Sequence, residues 1–111
     1  MSREAFIEHC ETHHRKIGEK YLSGFAAKYQ RRYLQSAGFR EQECDAPPFD
    51  VLMEIWYPDQ DALNRALAVL STAEAQAEIT ADEERLFDRD LIRSYTVEEY
   101  ESEMPAVAAG T

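Results

Sequence analysis

Residues 49–57, FDVLMEIWY, limit most strongly how this chain can fold. Apolar side chains occupy every second position of the stretch: Phe49, Val51, Met53, Ile55 and Tyr57. The positions between them hold polar and apolar residues together: Asp50, Leu52, Glu54 and Trp56. Successive side chains of a strand point to opposite faces of its sheet. The stretch therefore predicts a β-strand with one face in the core and one mixed face.

A helix and another strand are predicted before this stretch. Ser2 is a candidate N-cap, and a helical stripe follows it at spacings of three or four residues: Phe6, Cys10, His13, Ile17 and Tyr21. The stripe predicts an amphipathic helix of about 20 residues that Gly24 interrupts. Residues 27–34 (AKYQRRYL) alternate in character and are rich in tyrosine, so they predict a strand. Residues 35–48 contain Gly38, Pro47 and Pro48 and predict a loop.

Helical patterns follow the 49–57 strand. Asp59 can cap a helix after Pro58, and four residues are predicted to form the buried stripe of that helix: Leu63, Ala66, Leu67 and Leu70. Ser71 with Glu74 matches a capping box, which predicts that a helix restarts and continues to about Ile79. The acidic residues 80–88 predict one or two more helical turns, with two side chains pointing inward: Leu86 and Phe87.

A last strand is predicted at residues 91–97 (LIRSYTV), from its β-branched and aromatic content. The chain then becomes acidic and afterwards rich in small residues. We therefore expect one domain over residues 1–99 and a disordered tail over residues 100–111.

The predicted order is helix, strand, strand, helix, strand. It indicates an α+β, ferredoxin-like antiparallel sheet with helices on one face and with the opening strand missing. Three explanations are open: the final strand shifts into the gap, a partner supplies a strand, or Met1 is an internal methionine of a longer protein. We favour the third, because MSREAF is typical of the helix start that follows a first strand.

Charge and composition exclude some classes of function. The chain has 111 residues, with 22 acidic side chains against 12 basic ones and a net charge of −10. Binding to nucleic acid or to an anionic membrane surface relies on Lys and Arg, so neither partner is expected. No signal peptide and no apolar run of about 18–20 residues is visible, which predicts a soluble cytoplasmic protein. Cys10 and Cys44 are expected to be free thiols.

The histidines are the first candidates for chemistry. His9, His13 and His14 lie within six residues of one helix, and histidine can transfer protons near neutral pH. His9 and His13 are spaced i, i+4 and share a helical face. The pairs His9 with His13 and Cys10 with His14 have the spacing of metal ligands on a helix. The string HCETH is not the zinc-binding motif HExxH, however, and no third ligand is evident, so no metal site is expected. The simpler alternative places His13 at the core boundary and His9 in solvent.

Glu54 is the second candidate, because it lies in the middle of an otherwise apolar strand. Burial would raise the pKa of such a carboxyl group and suit it to acid–base catalysis. The alternative is an ion pair with Arg31 or Arg32 across the sheet. Candidate ligand-binding residues on the two strands are Tyr29, Arg31, Tyr33 and Trp56, although aromatic groups like these are more often core or dimer interface. No glycine-rich phosphate loop is present, so no nucleotide cofactor is expected.

Several strings together resemble the EthD family of the dimeric α+β barrel superfamily. The matching strings are SREAFIEHCETHH, YQRRYL, FDVLMEIWYPDQDALNRAL and ADEERLFDRDLIRSYTVEE, which together cover roughly residues 2–99. Two departures are visible: the first strand of the family is absent, and His14 is followed by Arg15 and Lys16 where relatives often have Gly-Pro or Val-Pro. The histidine itself is kept.

The resemblance implies a homodimer whose two sheets face each other as a barrel, with the helices outside. It also implies a small hydrophobic or aromatic ligand, polyketide-like or xenobiotic, and makes His14 the first choice for a catalytic residue. We expect lyase-type acid–base chemistry without a cofactor, namely dehydration, decarboxylation or cyclisation, with His14 and Glu54 catalytic. His9 and His13 would join the strand residues in binding the substrate. Two alternatives are a cofactor-free oxygenase of electron-rich aromatics and a non-catalytic ligand-binding accessory protein.

Overall fold

The computed structural model describes residues 1–40 and 47–109. The first helix has three parts: α1 (Arg3–His9), a π-helical turn (Cys10–His14) and α2 (Arg15–Leu22). The elements after it are β1 (Lys28–Tyr33), β2 (Val51–Trp56), α3 (Gln60–Leu70), α4 (Ala73–Leu86) and a 3₁₀ turn (Arg89–Leu91). The chain is α+β, as predicted. Part of the predicted 35–48 loop, including Cys44, lies outside the described residues.

The first helix begins where the sequence predicted. Ser2 is its N-cap, and the hydroxyl group accepts a hydrogen bond from Ala5 N at 3.1 Å. The helix continues to Leu22, which confirms the expected length. The π-helical turn in its middle was not predicted, because the apolar spacing there fits an ordinary α-helix.

The two strands form an antiparallel sheet in which Tyr29 lies opposite Ile55 and Arg31 opposite Met53. The helices cover only one face of this sheet. Three side chains of β1 point toward the first helix: Tyr29, Arg31 and Tyr33. The opposite face, which we call the outer face, holds Lys28, Gln30, Arg32, Leu52, Glu54 and Trp56. The alternation predicted for the 49–57 strand is present, but the predicted core face is wrong in part: none of its residues is buried, and Phe49 and Ile55 are 51% and 40% exposed.

The helices after β2 differ from the prediction in the cap of α4, in the end of α4 and in Leu67, which is 50% exposed although it belongs to the predicted buried stripe of α3. Asp59 caps α3 as expected, accepting from Ala62 N at 2.8 Å. The cap of α4 is Thr72 and not Ser71: the Thr72 hydroxyl accepts from Ala75 N. α4 then continues to Leu86, so the predicted end near Ile79 is wrong and the acidic turns belong to one helix.

The predicted strand at residues 91–97 is not formed. The chain makes a 3₁₀ turn at Arg89–Leu91 and then shows no regular secondary structure from residue 92 to residue 109. Strand propensity needs a neighbouring strand to act on, and in the described part of the chain the sheet contains β1 and β2 alone. The tail boundary at residue 100 stays a prediction.

The core is small and lies between the helices. Its buried apolar residues are Cys10, Tyr21, Leu22, Ala66 and Ala75. Two polar residues are buried with them, His14 and Asp82, each with 8% of its surface exposed. Cys10 is a free thiol, as expected. A buried ionisable pair in such a small core directs attention to the contact between the first helix and α4.

Candidate functional site

Asp82 of α4 joins two histidines of the first helix. Its Oδ1 lies 2.7 Å from His9 Nε2, and its Oδ2 lies 2.9 Å from His14 Nδ1. Only 10% of the side-chain surface of Asp82 and of His14 is exposed, against 20% for His9. One carboxylate therefore links a buried imidazole to a more exposed one.

The π-helical turn makes this arrangement possible. In a regular α-helix, residues five apart point about 140° away from each other. A π-helical turn has i→i+5 hydrogen bonds and therefore brings residues five apart onto one side. His9 and His14 are five apart: His9 directly precedes the turn and His14 is its last residue, so both reach Asp82. Such turns occur frequently at functional sites.

The charge of Asp82 fixes the protons on both rings. Burial acts to raise the pKa of Asp82, but the hydrogen bonds from His9 and His14 outweigh it and hold that pKa below its ordinary value. Asp82 is then ionised at neutral pH and can only accept hydrogen bonds. His14 must donate from Nδ1 and His9 from Nε2. In neutral His14 the lone pair is therefore on Nε2.

The Nε2 atom of His14 is not fully buried. Among residues 1–40 and 47–109, no side-chain nitrogen or oxygen is fully buried without a hydrogen-bond partner. No described group is bonded to His14 Nε2, so this atom retains surface access. A basic nitrogen with a fixed proton on the other side of the ring is the arrangement that general-base histidines use.

One aromatic ring packs on this histidine, and two more extend from that ring. Phe87 packs edge-on against the His14 ring, with centroids 5.6 Å apart. Phe6 packs edge-on against Phe87 at 5.8 Å and against Tyr33 at 6.2 Å. The inward direction predicted for Phe87 is confirmed. The rings of Phe87, Phe6 and Tyr33 thus form a row that begins at His14, and we call this row the aromatic wall.

Glu11 lies in the same π-helical turn and binds two of the predicted ligand-binding residues. Its carboxylate accepts from Arg31 Nη2 at 2.8 Å, from Arg31 Nε at 3.0 Å and from the Tyr33 hydroxyl. Hydrogen bonding to Arg31 is the main cause that lowers the pKa of Glu11 to about 2. Burial, with the bond to Glu11, raises the pKa of Tyr33. Arg31 is thus occupied by a structural partner and is not free to polarise a carbonyl group.

Tyr29, another predicted ligand-binding residue, packs against the first helix. A Cβ atom placed on Gly18 would lie 2.6 Å from Tyr29 Cε2, so the glycine makes room for the ring. Burial raises the pKa of the Tyr29 hydroxyl. This residue anchors the sheet to the helix.

Glu54 lies on the other side of the sheet from His14. Its carboxylate is 3.2 Å from Arg32 Nε and accepts a hydrogen bond of 3.2 Å from Trp56 Nε1. The ion pair with Arg32 was one of the two alternatives the sequence allowed. His14 lies among the helices on the covered face, so the structure does not bring His14 and Glu54 together as an acid–base pair within one chain.

His13 is exposed, and its ring stacks on that of His9 with centroids 4.7 Å apart. The i, i+4 face shared by these two histidines is therefore confirmed. His13 Nδ1 is 2.8 Å from the Thr12 hydroxyl, and His13 is not bonded to Asp82. It lies at the solvent end of the histidine group.

Asp82 is the residue that the sequence analysis did not identify as a candidate. The helical spacing of Asp82 from another buried residue could have identified it. Ala75 and Asp82 are seven residues apart, which places them on the same face of a continuous helix, and both are buried in α4. The predicted end of the helix near Ile79 removed that signal.

The described residues contain no group of three or more His, Cys, Asp or Glu side chains arranged to hold a metal ion. Within the same residues, no helix has both the length and the apolar character that crossing a bilayer requires.

Comparison with known proteins identifies the family. The family model of the EthD domain matches residues 1–90, which include the first helix, both strands, α3 and α4. No curated protein and no solved structure gave a significant match. The matched span contains all three histidines and Asp82. With most of its length matched, the chain belongs to the EthD domain family, a group with the dimeric α+β barrel fold.

Proposed function

We propose that this protein binds a small hydrophobic or aromatic compound and catalyses proton transfer on it without a cofactor, with His14 as the base. One observation carries the proposal: the buried Asp82 carboxylate holds His14 Nδ1 at 2.9 Å while Nε2 keeps surface access. Dehydration is the reaction we favour.

The proposed reaction is an elimination. His14 Nε2 removes a proton from the carbon next to a carbonyl group, a carbon–carbon double bond forms, and the bond to a β-hydroxyl group breaks. The proton held by His14 goes to the departing hydroxide, so that water leaves and neutral His14 returns. Asp82 stabilises the imidazolium ion that exists between the two steps, as an acidic residue does in other His–Asp pairs.

The aromatic wall supports the choice of substrate. Phe6, Tyr33 and Phe87 offer edges and faces to a flat ring close to His14. Tyr33 contributes its ring, because its hydroxyl group is bound to Glu11. His9 and His13 lie toward solvent and would meet the polar end of the ligand.

The outer face supports a homodimer. It carries the exposed apolar residues Leu52 and Trp56, with 45% and 37% of their surfaces exposed, and no other described element covers it. A second copy facing it would bury both residues, and Glu54 and Arg32 would neutralise each other within the interface. We assign Glu54 and Trp56 to this contact, and we place the dimer in the cytoplasm on the basis of composition.

Two probes test the proton transfer. An aromatic ketone with deuterium next to its carbonyl group reports proton abstraction by NMR, and an aromatic β-hydroxyketone reports loss of water. His14→Gln should slow both reactions by about 10²–10⁴-fold, the range for removing a general base. Asp82→Asn should slow them as well, because an amide can donate to Nδ1 and favour the wrong tautomer.

Lys16→Gln is the control, since Lys16 is exposed on the same helix, forms no hydrogen bond to Asp82 or His14, and should leave the rates unchanged when replaced. If His14→Gln retained the wild-type rates, the assignment of the base would be wrong. Thermal stabilisation by the ketone without exchange of deuterium would instead identify a binding protein with no catalytic role.

A further inference from the structure

His9 and His14 share one negative charge. Asp82 Oδ1 lies 2.7 Å from His9 Nε2 and Oδ2 lies 2.9 Å from His14 Nδ1, so each oxygen of the carboxylate accepts from a different ring. Among residues 1–40 and 47–109, no Lys or Arg forms an ion pair with this carboxylate. The protonated forms of both imidazoles therefore depend on the same counter-charge.

Each ring can take up a second proton without losing its contact with Asp82. The ring nitrogen that faces the carboxylate already donates, so the basic atoms are Nδ1 of His9 and Nε2 of His14. A proton on one ring neutralises the negative charge of the group. A proton on the second ring then leaves an excess positive charge in partly buried surroundings, so protonation of either ring opposes protonation of the other.

The other groups near the two rings do not take the place of Asp82. Phe87, which packs edge-on against His14, carries no charge. Burial raises the pKa of the Cys10 thiol, which is therefore uncharged at neutral pH. Three further titratable side chains on elements packed against the first helix are bound to other partners: Arg31 and Tyr33 to Glu11, and Glu78 to Lys20 and Tyr21.

His13 is the third imidazole of this region. It is exposed, its ring stacks on that of His9 with centroids 4.7 Å apart, and it is not bonded to Asp82. A proton on His13 opposes a proton on His9, because two stacked imidazolium rings repel each other. The carboxylate 2.7 Å from His9 favours the charged form of His9 over that of His13.

Exposure decides which of the two rings bonded to Asp82 takes the first proton. The side chain of His9 is 20% exposed, and that of His14 is 10% exposed. Loss of solvent disfavours the charged form of a histidine, and it does so more strongly for the more buried ring. Phe87 adds an apolar neighbour to His14. With one counter-charge at nearly equal distances, the first proton therefore goes to His9.

From this arrangement we infer that His9 is a positioning residue for the base: as the pH falls, His9 takes up the first proton, pairs with Asp82 and keeps His14 in its neutral, proton-accepting form. At neutral pH, where His9 is uncharged, the whole charge of Asp82 stabilises the imidazolium ion that His14 forms during the reaction. On the acidic side of neutrality, an isolated histidine would already be protonated. The inference rests on the proposed function, in which His14 is the base, and adds the group that regulates it.

Titration of the histidine rings by ¹⁵N NMR in the ligand-free protein tests the inference. In the wild type, His9 should take up its proton at a higher pH than His14. His14 should titrate over more than the roughly two pH units that an isolated group needs. The measurement covers the pH range in which circular dichroism shows an unchanged fold. Protonation of His14 before His9 would overturn the inference, and this result needs no variant.

His9→Gln separates the charge of the ring from its hydrogen bond. The glutamine amide can donate to Asp82 but takes up no proton, so His14 should titrate in a single step. At a pH where His9 of the wild type is charged, the ratio of protonated to neutral His14 should be at least about tenfold higher in His9→Gln, since the opposing charge is gone. Identical His14 curves in the two proteins would contradict the inference.

His13→Gln is the matched control for the titration, because it removes an imidazole that stacks on His9 but is not bonded to Asp82. His14 should keep its broad titration in this variant. A single step, as expected for His9→Gln, would mean that the stacked rings and not the shared carboxylate couple the histidines, and the inference would fall.

The titration uses no ligand and measures no activity. Failure of the coupling would therefore leave the assignment of His14 as the base in place, and wild-type rates in His14→Gln would leave the coupling between the rings in place.

Discussion

Asp82 shows how much one buried carboxylate can organise in a small core. It accepts from His9 and His14, and among residues 1–40 and 47–109 it forms no ion pair with Lys or Arg. Its lowered pKa means that the carboxylate stabilises the fold at neutral pH and that this contribution is lost as the pH falls through the acidic range. The same charge selects the tautomer of His14. Structure and proposed chemistry therefore depend on one residue.

Glu11 gives a pH prediction at the residue scale. Its pKa is about 2 in the fold against an ordinary value of 4.5, so its stabilising effect is complete above pH 4.5 and is lost as the pH falls toward 2. Since 37% of its side chain is exposed, we expect the effect to be about 1 kcal/mol after screening by solvent. Glu11→Gln should remove this part of the acid dependence.

Urea unfolding of both proteins at pH 7 and at pH 3 measures the effect. The difference between Glu11→Gln and the wild type should be larger at pH 7. Glu74→Gln, which removes a carboxylate with 80% of its side chain exposed, is the control and should follow the wild type at both values. An equal difference at both values for Glu11→Gln would show that the Arg31 pair does not lower this pKa.

The histidines illustrate what the sequence could and could not reveal. The cluster itself, the choice of His14 and the shared face of His9 and His13 came from spacing and family resemblance. The link between His9 and His14 could not be predicted in this way. An α-helix places residues five apart on different sides, and no feature of residues 10–14 (CETHH) predicts a π-helical turn. Asp82 was missed because the helix was predicted to end near Ile79, before this residue.

At the scale of elements, the contact between the first helix and β1 depends on Gly18. Alanine at this position gains about 1 kcal/mol of helix propensity over glycine. The new methyl group would lie 2.6 Å from Cε2 of Tyr29, however, and forcing atoms into a packed contact costs about 1–3 kcal/mol. We expect Gly18→Ala to destabilise the wild type by about 1 kcal/mol.

A second background reverses the sign. In Tyr29→Leu the ring is gone, so Gly18→Ala should stabilise the fold by up to about 1 kcal/mol. Chemical denaturation of the four proteins in this double-mutant cycle provides the coupling energy. Equal effects of Gly18→Ala in both backgrounds would mean that Tyr29 does not pack on the glycine.

Strands were predicted more reliably where a partner strand is present. β1 and β2 appear within one or two residues of the expected positions, because each pairs with the other along its length. Residues 91–97 have equal strand propensity but no neighbour in one chain. The sequence shows the strand propensity of this segment, but a strand forms only where a neighbouring strand is available for pairing.

At the scale of the whole molecule, the outer face of the sheet should hold the dimer together. Leu52→Lys places a charge in the middle of this face, and we expect it to weaken dimerisation at least tenfold, since an unpaired charge in an interface costs more than about 1.4 kcal/mol. Leu67→Lys makes the same change on α3, where the leucine is 50% exposed, and should not affect association. Sedimentation velocity over a concentration series measures both, and equal association constants would exclude the outer face as the interface.

The central claim, that Asp82 holds His14 ready to act as a base through Nε2, is tested most directly by ¹⁵N NMR of the histidine rings in the intact protein. At a pH where His14 is neutral, we predict that the proton of His14 lies on Nδ1 and that Asp82→Asn redistributes it, while His13→Gln does not. A proton on Nε2 of wild-type His14, or a spectrum that Asp82→Asn leaves unchanged, would contradict the account.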